Sequence, residues 1–221
     1  MVALADSEVL AFGLRHLRTV LGDDFPGRVF LAGGAFKTLV HGRPPRDLDL
    51  WAPTPADRRV LIDHLQARGR PLGRRAFADG FRVGGQEVEV PDKAEPPTLE
   101  GRLARFDLGI VAIGVECGGG PARAVVHPLA RVSVERREIL LLKPLANPRH
   151  CLSTLARARR AAAELGFRVP PQEEAAVWEV FDAADPPSQR ELLAESENAA
   201  VPDWGVLAEA RARAGVRPRS G

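Results

Sequence analysis

Apolar residues recur with two different periods along the chain, and the change of period divides it into two parts. In the first part, helical spacing over Ser7–Leu21 and Pro53–Gly69 alternates with short apolar runs such as Val29–Ala32, which predict buried strands. In the second part the spacing is helical throughout. We therefore predict a head of strands and helices over residues 1–145 and an all-helical extension over residues 146–221. Four helices are expected in the extension: His150–Gly166, Gln172–Ala184, Ser188–Glu195 and Trp204–Ala214.

Strand patterns dominate the middle of the head. Residues 70–91 have strand patterns, and Gly80–Val90 predicts a β-hairpin that turns at Gly84-Gly85, because paired glycines suit two-residue turns with positive φ. Glu87 and Glu89 alternate with valines along its second arm, so both carboxylates lie on one face. Two further strands, Phe106–Val115 and Ala122–Val126, and a short helix or turn over Val132–Glu138 complete the head.

The stretch from residue 28 to residue 51 opens with a glycine turn. Gly33 and Gly34 follow the first apolar run and begin a short predicted helix over Ala35–Val40. Glycines let the backbone turn without crowding, and the N–H groups of a helix N-terminus favour an anion such as phosphate. This turn therefore predicts a binding site for a phosphorylated ligand.

The same stretch ends on a pair of acids. Asp47 and Asp49 stand on the next predicted strand, Asp47–Trp51. Side chains alternate between faces along a strand, so these two carboxylates lie on the same face. Mg²⁺ is bound in proteins by carboxylate oxygens together with phosphate oxygens and water. The glycine turn and the acidic strand together predict a site for a metal-bound triphosphate.

Composition narrows the setting without naming a substrate. The 221 residues are 45% hydrophobic, and the net charge of +2 gives no reason to require nucleic acid as a partner. No run approaches the roughly 20 apolar residues of a membrane span, and the first residues lack the pattern of a secretory signal, so no membrane partner is expected. The cysteines, Cys117 and Cys151, match no disulfide framework or metal spacing. These features predict a cytoplasmic protein.

The spacing G-G-x-x-K-x-x-x-x-G-R-x-x-x-D-x-D over Gly33–Asp49 resembles the signature of the DNA polymerase β-type nucleotidyltransferases. The resemblance is closest to the head domain of bacterial CCA-adding enzymes and poly(A) polymerases, and it weakens toward residue 165. It implies an α+β fold with a small mixed β-sheet, helices on one face and an all-α C-terminal extension. It also implies an enzyme that uses Mg²⁺ or Mn²⁺ to transfer a nucleoside monophosphate from an NTP to an acceptor, with release of pyrophosphate.

The resemblance implies that metal binding and catalysis rest on Asp47 and Asp49, joined by a third carboxylate on a neighbouring strand. We expect Glu89 to be this third ligand. Glu87, on the same face of the predicted strand, is the alternative. Asp107 is a further candidate because it belongs to a later motif of the family.

That later motif, Arg-Arg-Asp-Phe-Thr-Ile-Asn-Ala, resembles the segment that begins at Arg105. Arg105 and Asp107 match it and are expected at the nucleotide site, whereas Phe106 and Val111 replace the second arginine and the asparagine of the family. The lost asparagine puts the usual sugar and base contacts in question. We expect the segment to run along a strand, with Asp107 buried at its start.

Three basic residues complete the expected nucleotide site. Lys37 lies one turn beyond the glycines, where its ammonium group reaches a triphosphate as a point charge. Arg46 precedes the acids and either binds phosphate or neutralises Asp47 and Asp49. Arg157 lies on the helix after the head, where an arginine of the family faces the nucleotide base. The alternative for Arg157 is a solvated basic face.

The sequence leaves the acceptor open among an RNA end, a small molecule and a protein. The segment after the head is short and not notably basic, so we expect something other than a complete CCA-adding enzyme. Two other functions compete with this one. The altered motif at residues 105–111 favours a degenerate nucleotide-binding module or partner protein, and the same fold also serves RNA-modifying toxins and defence proteins. The oligomeric state stays open.

Overall fold

The computed structural model divides the chain into two compact units, one ending at Arg136 and the other beginning at Arg137. Each unit has a hydrophobic core of its own. The sequence places the boundary between residues 145 and 146, and residues 143–147 lie outside the described residues, so that boundary stays a prediction. The structure describes residues 4–74, 77–142, 148–198 and 202–216.

A mixed β-sheet forms the centre of the first unit. Its strands, within the described residues, are β1 (Val29–Ala32), β2 (Asp47–Trp51), β3 (Arg70–Arg74), β4 (Ala78–Val83), β5 (Gln86–Pro91), β6 (Ile113–Cys117) and β7 (Arg123–Val126). They lie in the order β3-β4-β5-β2-β1-β6-β7. Neighbouring strands are antiparallel except β2 and β5, which are parallel. The mixed sheet that the sequence predicts is therefore confirmed.

The hairpin of β4 and β5 turns at Gly84 and Gly85, whose φ angles are +55° and +85°. Two successive residues with positive φ define the tight turn that matches the twist of the flanking strands, and glycine adopts this conformation without strain. The turn sets the register of β5, and with it the face on which Glu87 and Glu89 lie.

Helices of the first unit pack on both faces of the sheet. Those of the first unit, in the part of the chain that the structure describes, are α1 (Asp6–Leu21), α2 (Thr38–His41), α3 (Pro55–Arg68), α4 (Leu99–Leu103) and α5 (Pro128–Arg136). α1 packs on β6 at Gly13, where an added Cβ would lie 2.5 Å from Val115 Cγ2, and α3 packs beside α1. The short helix α4 lies on the other face, because Leu99 contacts Gly114, the neighbour of Val115 on β6. The sequence pattern did not predict α4.

The apolar run at residues 106–115 is a strand only at its end. The predicted strand Phe106–Val115 begins at Ile113 in the structure, and a 3₁₀ turn occupies Gly109–Val111. This turn is buried against α5, since a Cβ on Gly109 would lie 3.0 Å from Leu129 Cβ. A short apolar run has the same pattern whether it is extended or turned, so periodicity alone misassigned this segment.

The second unit is helical, as the sequence predicts. Its helices, within the described residues, are α6 (Cys151–Leu165), α7 (Pro171–Asp182), α8 (Pro186–Glu197) and α9 (Trp204–Arg213). Trp178 and Phe181 meet edge to face in its core, with ring centroids 5.9 Å apart. Arg159 joins three helices by donating hydrogen bonds to Glu174 and Glu209, at 2.9 and 2.7 Å. Among the described helices of the whole chain, none has the length and apolar character needed to cross a membrane.

Candidate active site

β2 presents two carboxylates on one face of the sheet. Asp47 and Asp49 are partly exposed, whereas Leu48 and Leu50 are fully buried. This alternation follows from the pleat of a strand, in which successive side chains point to opposite faces. Leu50 pairs with Leu31 on β1, and Leu31 pairs with Val115, the β6 residue that packs against α1. Leu50 therefore faces α1, and the two aspartates lie on the opposite face of the sheet.

The neighbouring strand β5 brings a third carboxylate to the same face. In the parallel pairing of β2 with β5, Asp49 is level with Glu89. On the other side of β5, Glu89 pairs with Gly80 of β4, and because glycine has no side chain it leaves space beside Glu89. Glu87, the alternative, stands across from Arg82 and forms an ion pair with it. The register thus favours Glu89 as the third metal ligand, and that assignment stays a prediction.

The glycine turn touches one of the two aspartates. Gly33 adopts φ +114° and ψ −144°, a conformation that residues with a side chain rarely take. A Cβ on Gly33 would lie 3.2 Å from Asp49 Oδ2, so the absence of a side chain here lets the carboxylate approach the backbone. The turn and the acidic strand are therefore adjacent in space.

The helical segment after the turn is tighter than the sequence predicts. Instead of one helix over Ala35–Val40, a 3₁₀ turn at Gly34–Lys37 leads into α2, which ends at Gly42 with φ +74°. So short a helix has a weak dipole, and an anion here would depend on the first backbone N–H groups and on Lys37. Lys37 Cε lies 3.7 Å from the position of a Cβ on Gly34, so this side chain folds back toward the turn.

The charges on this face shift the pKa of Asp49. Burial, and then the charges of Asp47 and Glu89, raise the pKa of Asp49 to about 7. Arg46 opposes this rise, and its Nη2 and Nε donate hydrogen bonds to Asp47 Oδ2 at 2.6 and 3.0 Å. Arg46 thus forms an ion pair with Asp47, and its role at the site stays a prediction. A divalent cation would balance the remaining negative charge.

The donor atoms on this face suit Mg²⁺ or Mn²⁺ without forming a closed cage. Across the described ranges, no three side chains of histidine, cysteine, aspartate or glutamate are arranged to hold a metal ion by themselves. Mg²⁺ usually takes one or two carboxylates and completes its shell with water and substrate phosphates. Asp47 and Asp49 supply that number, with Glu89 level with Asp49. The site therefore fits an ion that arrives with a triphosphate.

The segment around residue 105 meets the glycine turn through its aromatic residue. Two ring atoms of Phe106 lie 4.0 Å from the position of a Cβ on Gly33. Arg105 is exposed and Asp107 is partly buried, and both precede the 3₁₀ turn Gly109–Val111. The expectation that Asp107 begins a strand is therefore wrong, because the chain turns here instead of extending. Contacts of Arg105 and Asp107 with a nucleotide stay predictions.

Arg157 lies in the second unit, on α6. It is exposed, and its Nη2 donates a hydrogen bond to Thr154 Oγ1 at 3.4 Å. The neighbouring Arg159 is held by two glutamates, so these arginines of α6 have different surroundings. Recognition of a nucleotide base by Arg157 stays a prediction.

Two residues beside the carboxylates were not predicted from the sequence, namely Trp51 and Arg102. Trp51 follows Asp49 by two positions and shares its face of β2. The guanidinium carbon of Arg102 lies 4.3 Å from the centre of the Trp51 ring. Arg102 belongs to α4, whose threonine cap and leucines four residues apart are a recognisable signal for a short helix.

The mixed sheet that carries paired acids beside a glycine turn is the arrangement that the resemblance to the polymerase β-type nucleotidyltransferases implies. The chain is 32% identical over 163 residues to the A-adding tRNA nucleotidyltransferase of Deinococcus radiodurans. This match covers 73% of the chain and 36% of the relative. No protein-family model matches the chain. The chain is thus related to tRNA nucleotidyltransferases, which confirms the resemblance indicated by residues 28–51.

Solved structures share the same fold. The Thermotoga maritima CCA-adding enzyme in complex with tRNA matches with a TM-score of 0.59 and 17% identity over 98% of this chain and 55% of its own. A tRNA nucleotidyltransferase complexed with a primer tRNA and an incoming ATP analogue matches with a TM-score of 0.56 and 15% identity, over 85% of this chain and 57% of its own. The chain therefore spans little more than half of these structures, and the likeness is one of fold.

Proposed function

We propose that the chain is a nucleotidyltransferase that adds a nucleoside monophosphate from an NTP to the 3′ end of an RNA, with its first unit as the catalytic part. The observation that carries the proposal is the position of Asp47, Asp49 and Glu89 on one face of β2 and β5, with Asp49 against the turn at Gly33. The 32% identity to a tRNA nucleotidyltransferase supports the same reaction.

The chemistry of this reaction is mainly orientation and charge balance. Mg²⁺ or Mn²⁺ held by Asp47, Asp49 and Glu89 would stabilise the charge on the transferring phosphate. The acceptor hydroxyl loses its proton to solvent as its oxygen bonds to the α-phosphorus of the NTP, the bond from that phosphorus to the oxygen of the β-phosphate breaks, and pyrophosphate leaves. The residues of the chain bind and align the two reactants for this exchange.

Phosphate binding falls to the glycine turn and the basic residues around it. Gly33 and Gly34 allow close approach of phosphate to the backbone, and Lys37 folds back over the turn. Arg46 donates to Asp47 in the structure. When a metal ion neutralises Asp47, Arg46 is free to bind a phosphate oxygen instead. Arg46 would then fill both expected roles, first as the partner of Asp47 and afterwards as a phosphate ligand.

RNA is the acceptor that the related proteins favour. One solved relative is in complex with tRNA and another holds a primer tRNA with an incoming ATP analogue. A tRNA 3′ end with ATP is therefore the first acceptor and donor to test for this chain. Arg105, Asp107 and Arg157 remain our candidates for contacts to the nucleotide.

The test is transfer of labelled ATP, CTP, GTP or UTP to tRNA transcripts with progressively shortened 3′ ends, in Mg²⁺ or Mn²⁺. We expect one NTP to be incorporated at one of these ends. The rate should fall on the order of 10²-fold or more in Asp47→Asn and in Asp49→Asn, because each removes a charge that the transition state requires.

Asp63→Asn is the matched control for these variants. Asp63 is exposed on α3, which packs beside α1 away from the carboxylates, so its loss should leave the rate unchanged. A wild-type rate in Asp49→Asn would contradict the assignment of the site. Failure of every NTP to label any transcript would contradict the proposed function.

A further inference from the structure

Two buried N–H donors lie next to the carboxylates. Arg102 Nε and Trp51 Nε1 have no hydrogen-bond partner within the described part of the chain. Arg102 is only 3% exposed, and its guanidinium donates from Nη2 to the carbonyl oxygen of Lys93 at 2.9 Å. Buried donors are almost always paired. Two exceptions in contact with each other therefore indicate a partner other than the described residues.

Arg102 also has no negatively charged partner among the described residues. Its guanidinium lies over the ring of Trp51, and none of the ion pairs among the described residues includes it. Burial, and then the like charge of Arg105, lower the pKa of Arg102 to about 10. A buried cation without an anion is unfavourable, and stacking on an aromatic ring offsets only part of that cost. A bound anion would offset the rest.

The pair lies at the carboxyl end of the strand that carries the acids. Trp51 is two positions beyond Asp49 on the same face, about 7 Å further along the strand. The centres of the Phe106 and Trp51 rings are 6.0 Å apart, and the Phe106 ring also lies 4.0 Å from the position of a Cβ on Gly33. Phe106 therefore lies between Trp51 and the glycine turn. Arg46 precedes β2 at its other end. The two arginines thus bracket the carboxylates along the strand.

We propose that Arg102 and Trp51 form a phosphate-binding subsite beside the metal-binding carboxylates, and this proposal rests on the proposed function. A phosphate oxygen accepts hydrogen bonds from both donors and brings the negative charge that Arg102 lacks. Hydrogen bonds between guanidinium and phosphate are charge-assisted and stronger than neutral ones. The phosphate belongs either to the NTP or to the phosphodiester backbone at the 3′ end of the acceptor, since both present the same oxygens.

The indole N–H signal of Trp51 measures occupancy of the subsite without turnover. The chain has three tryptophans, so ¹⁵N-labelled protein gives three indole signals, and Trp51→Phe identifies the one from residue 51. If the phosphate belongs to the NTP, inorganic tripolyphosphate and ATP with Mg²⁺ shift this signal. If it belongs to the acceptor, a tRNA transcript shifts the signal and ATP does not.

Arg102→Met tests the charge of the subsite. The variant keeps a long side chain over Trp51 and removes the guanidinium. We expect the Kd of the probe that shifts the indole signal to rise about tenfold or more, because hydrogen bonds to a charged group are lost. Tm should stay unchanged or rise, because an unpaired buried charge is removed. Arg102→Lys, which keeps the charge without the planar fork, should recover part of the binding.

Arg59→Met is the matched control, since Arg59 is exposed on α3. The proposal is overturned if none of the three probes shifts the Trp51 signal, in which case ordered water serves the two donors. It is also overturned if Arg102→Met lowers Tm and leaves every Kd unchanged, which would assign Arg102 a structural role. Absence of nucleotide transfer, with these shifts present, would contradict the proposed function and leave the subsite standing.

Discussion

At the scale of single residues, Asp49 has neighbours on three sides that affect its chemistry. Its Oδ2 would be 3.2 Å from a Cβ on Gly33, Glu89 is level with it on β5, and Asp47 shares its face of β2. Burial and the two neighbouring acids favour its neutral form, which raises its pKa to about 7. A proton and a metal ion therefore compete for this carboxylate near neutral pH.

Metal affinity should depend on pH, because Asp49 must lose its proton to bind a cation. Its pKa is about 7 in the fold and 3.8 in the absence of that environment. Protonation of Asp49 therefore stabilises the fold fully below pH 3.8, the pKa of the unfolded chain. This stabilisation is lost as the pH rises through about 7, the pKa in the fold. We expect Mn²⁺ affinity, measured by calorimetric titration, to rise about tenfold per pH unit below pH 7 and then to level off.

Asp47→Asn refines this prediction because Asp47 is one cause of the raised pKa. Its loss should move the levelling point of the Mn²⁺ affinity to lower pH, in addition to weakening the binding itself. An affinity for Mn²⁺ that does not change with pH below neutrality would show that Asp49 is already ionised there.

Among the elements, α1 and β6 are held closer together than most helices and strands allow. A Cβ on Gly13 would lie 2.5 Å from Val115 Cγ2 and 2.7 Å from its Cβ. Glycine in a helix is about 1 kcal/mol less favourable than alanine. Here close packing of the helix on the sheet outweighs that intrinsic preference, and the sheet behind the carboxylates depends on it.

Gly13→Ala should lower the free energy of unfolding by about 1–3 kcal/mol, because the overpacked contact costs more than the helix propensity contributes. Gly205→Ala in α9 is the matched control, since the nearest heavy atom to its new Cβ is 3.4 Å away. That control should gain up to about 1 kcal/mol. Urea unfolding measures the free energy of unfolding of both variants. An equal increase in the two would show that Val115 can move to accommodate the new methyl group at little cost.

On the scale of the whole molecule, the chain consists of two units with separate cores. The carboxylates and the glycine turn belong to the first unit. The core of the second unit is built around Trp178 and Phe181, with leucines and valines from its helices. The metal site that we propose is therefore composed entirely of residues from the first unit.

Phe181→Ala should destabilise the second unit by about 3–5 kcal/mol, because a fully buried ring is removed, and should leave Mn²⁺ affinity unchanged. Phe36→Ala is the comparison in the first unit, where the ring is equally buried and packs 5.2 Å from the ring of Phe12. It should reduce both stability and Mn²⁺ affinity. Calorimetric unfolding and Mn²⁺ titration measure the two effects. Loss of Mn²⁺ binding in Phe181→Ala would show that the site requires the second unit.

Sequence patterns predicted the elements in which every local preference agrees. The acids of β2 alternate with leucines, and the turn at Gly84-Gly85 has paired glycines between two strand patterns, so periodicity and turn chemistry indicate the same structure. The segment Phe106–Val115 was misassigned because its apolar residues are buried by α5 while the chain turns. The helix α4 was missed because it has only five residues, Leu99–Leu103.

The sequence by itself determined the strand that bears Asp47 and Asp49, the glycine turn before it and the helical second unit. These follow from side-chain alternation, backbone freedom and helical spacing, which act over a few neighbouring residues. Only the tertiary structure decided that Glu89 is level with Asp49, and that Arg102 lies on Trp51. These pairs are distant in the chain, and their contact depends on strand order and on how α4 packs against the sheet, which no local preference specifies.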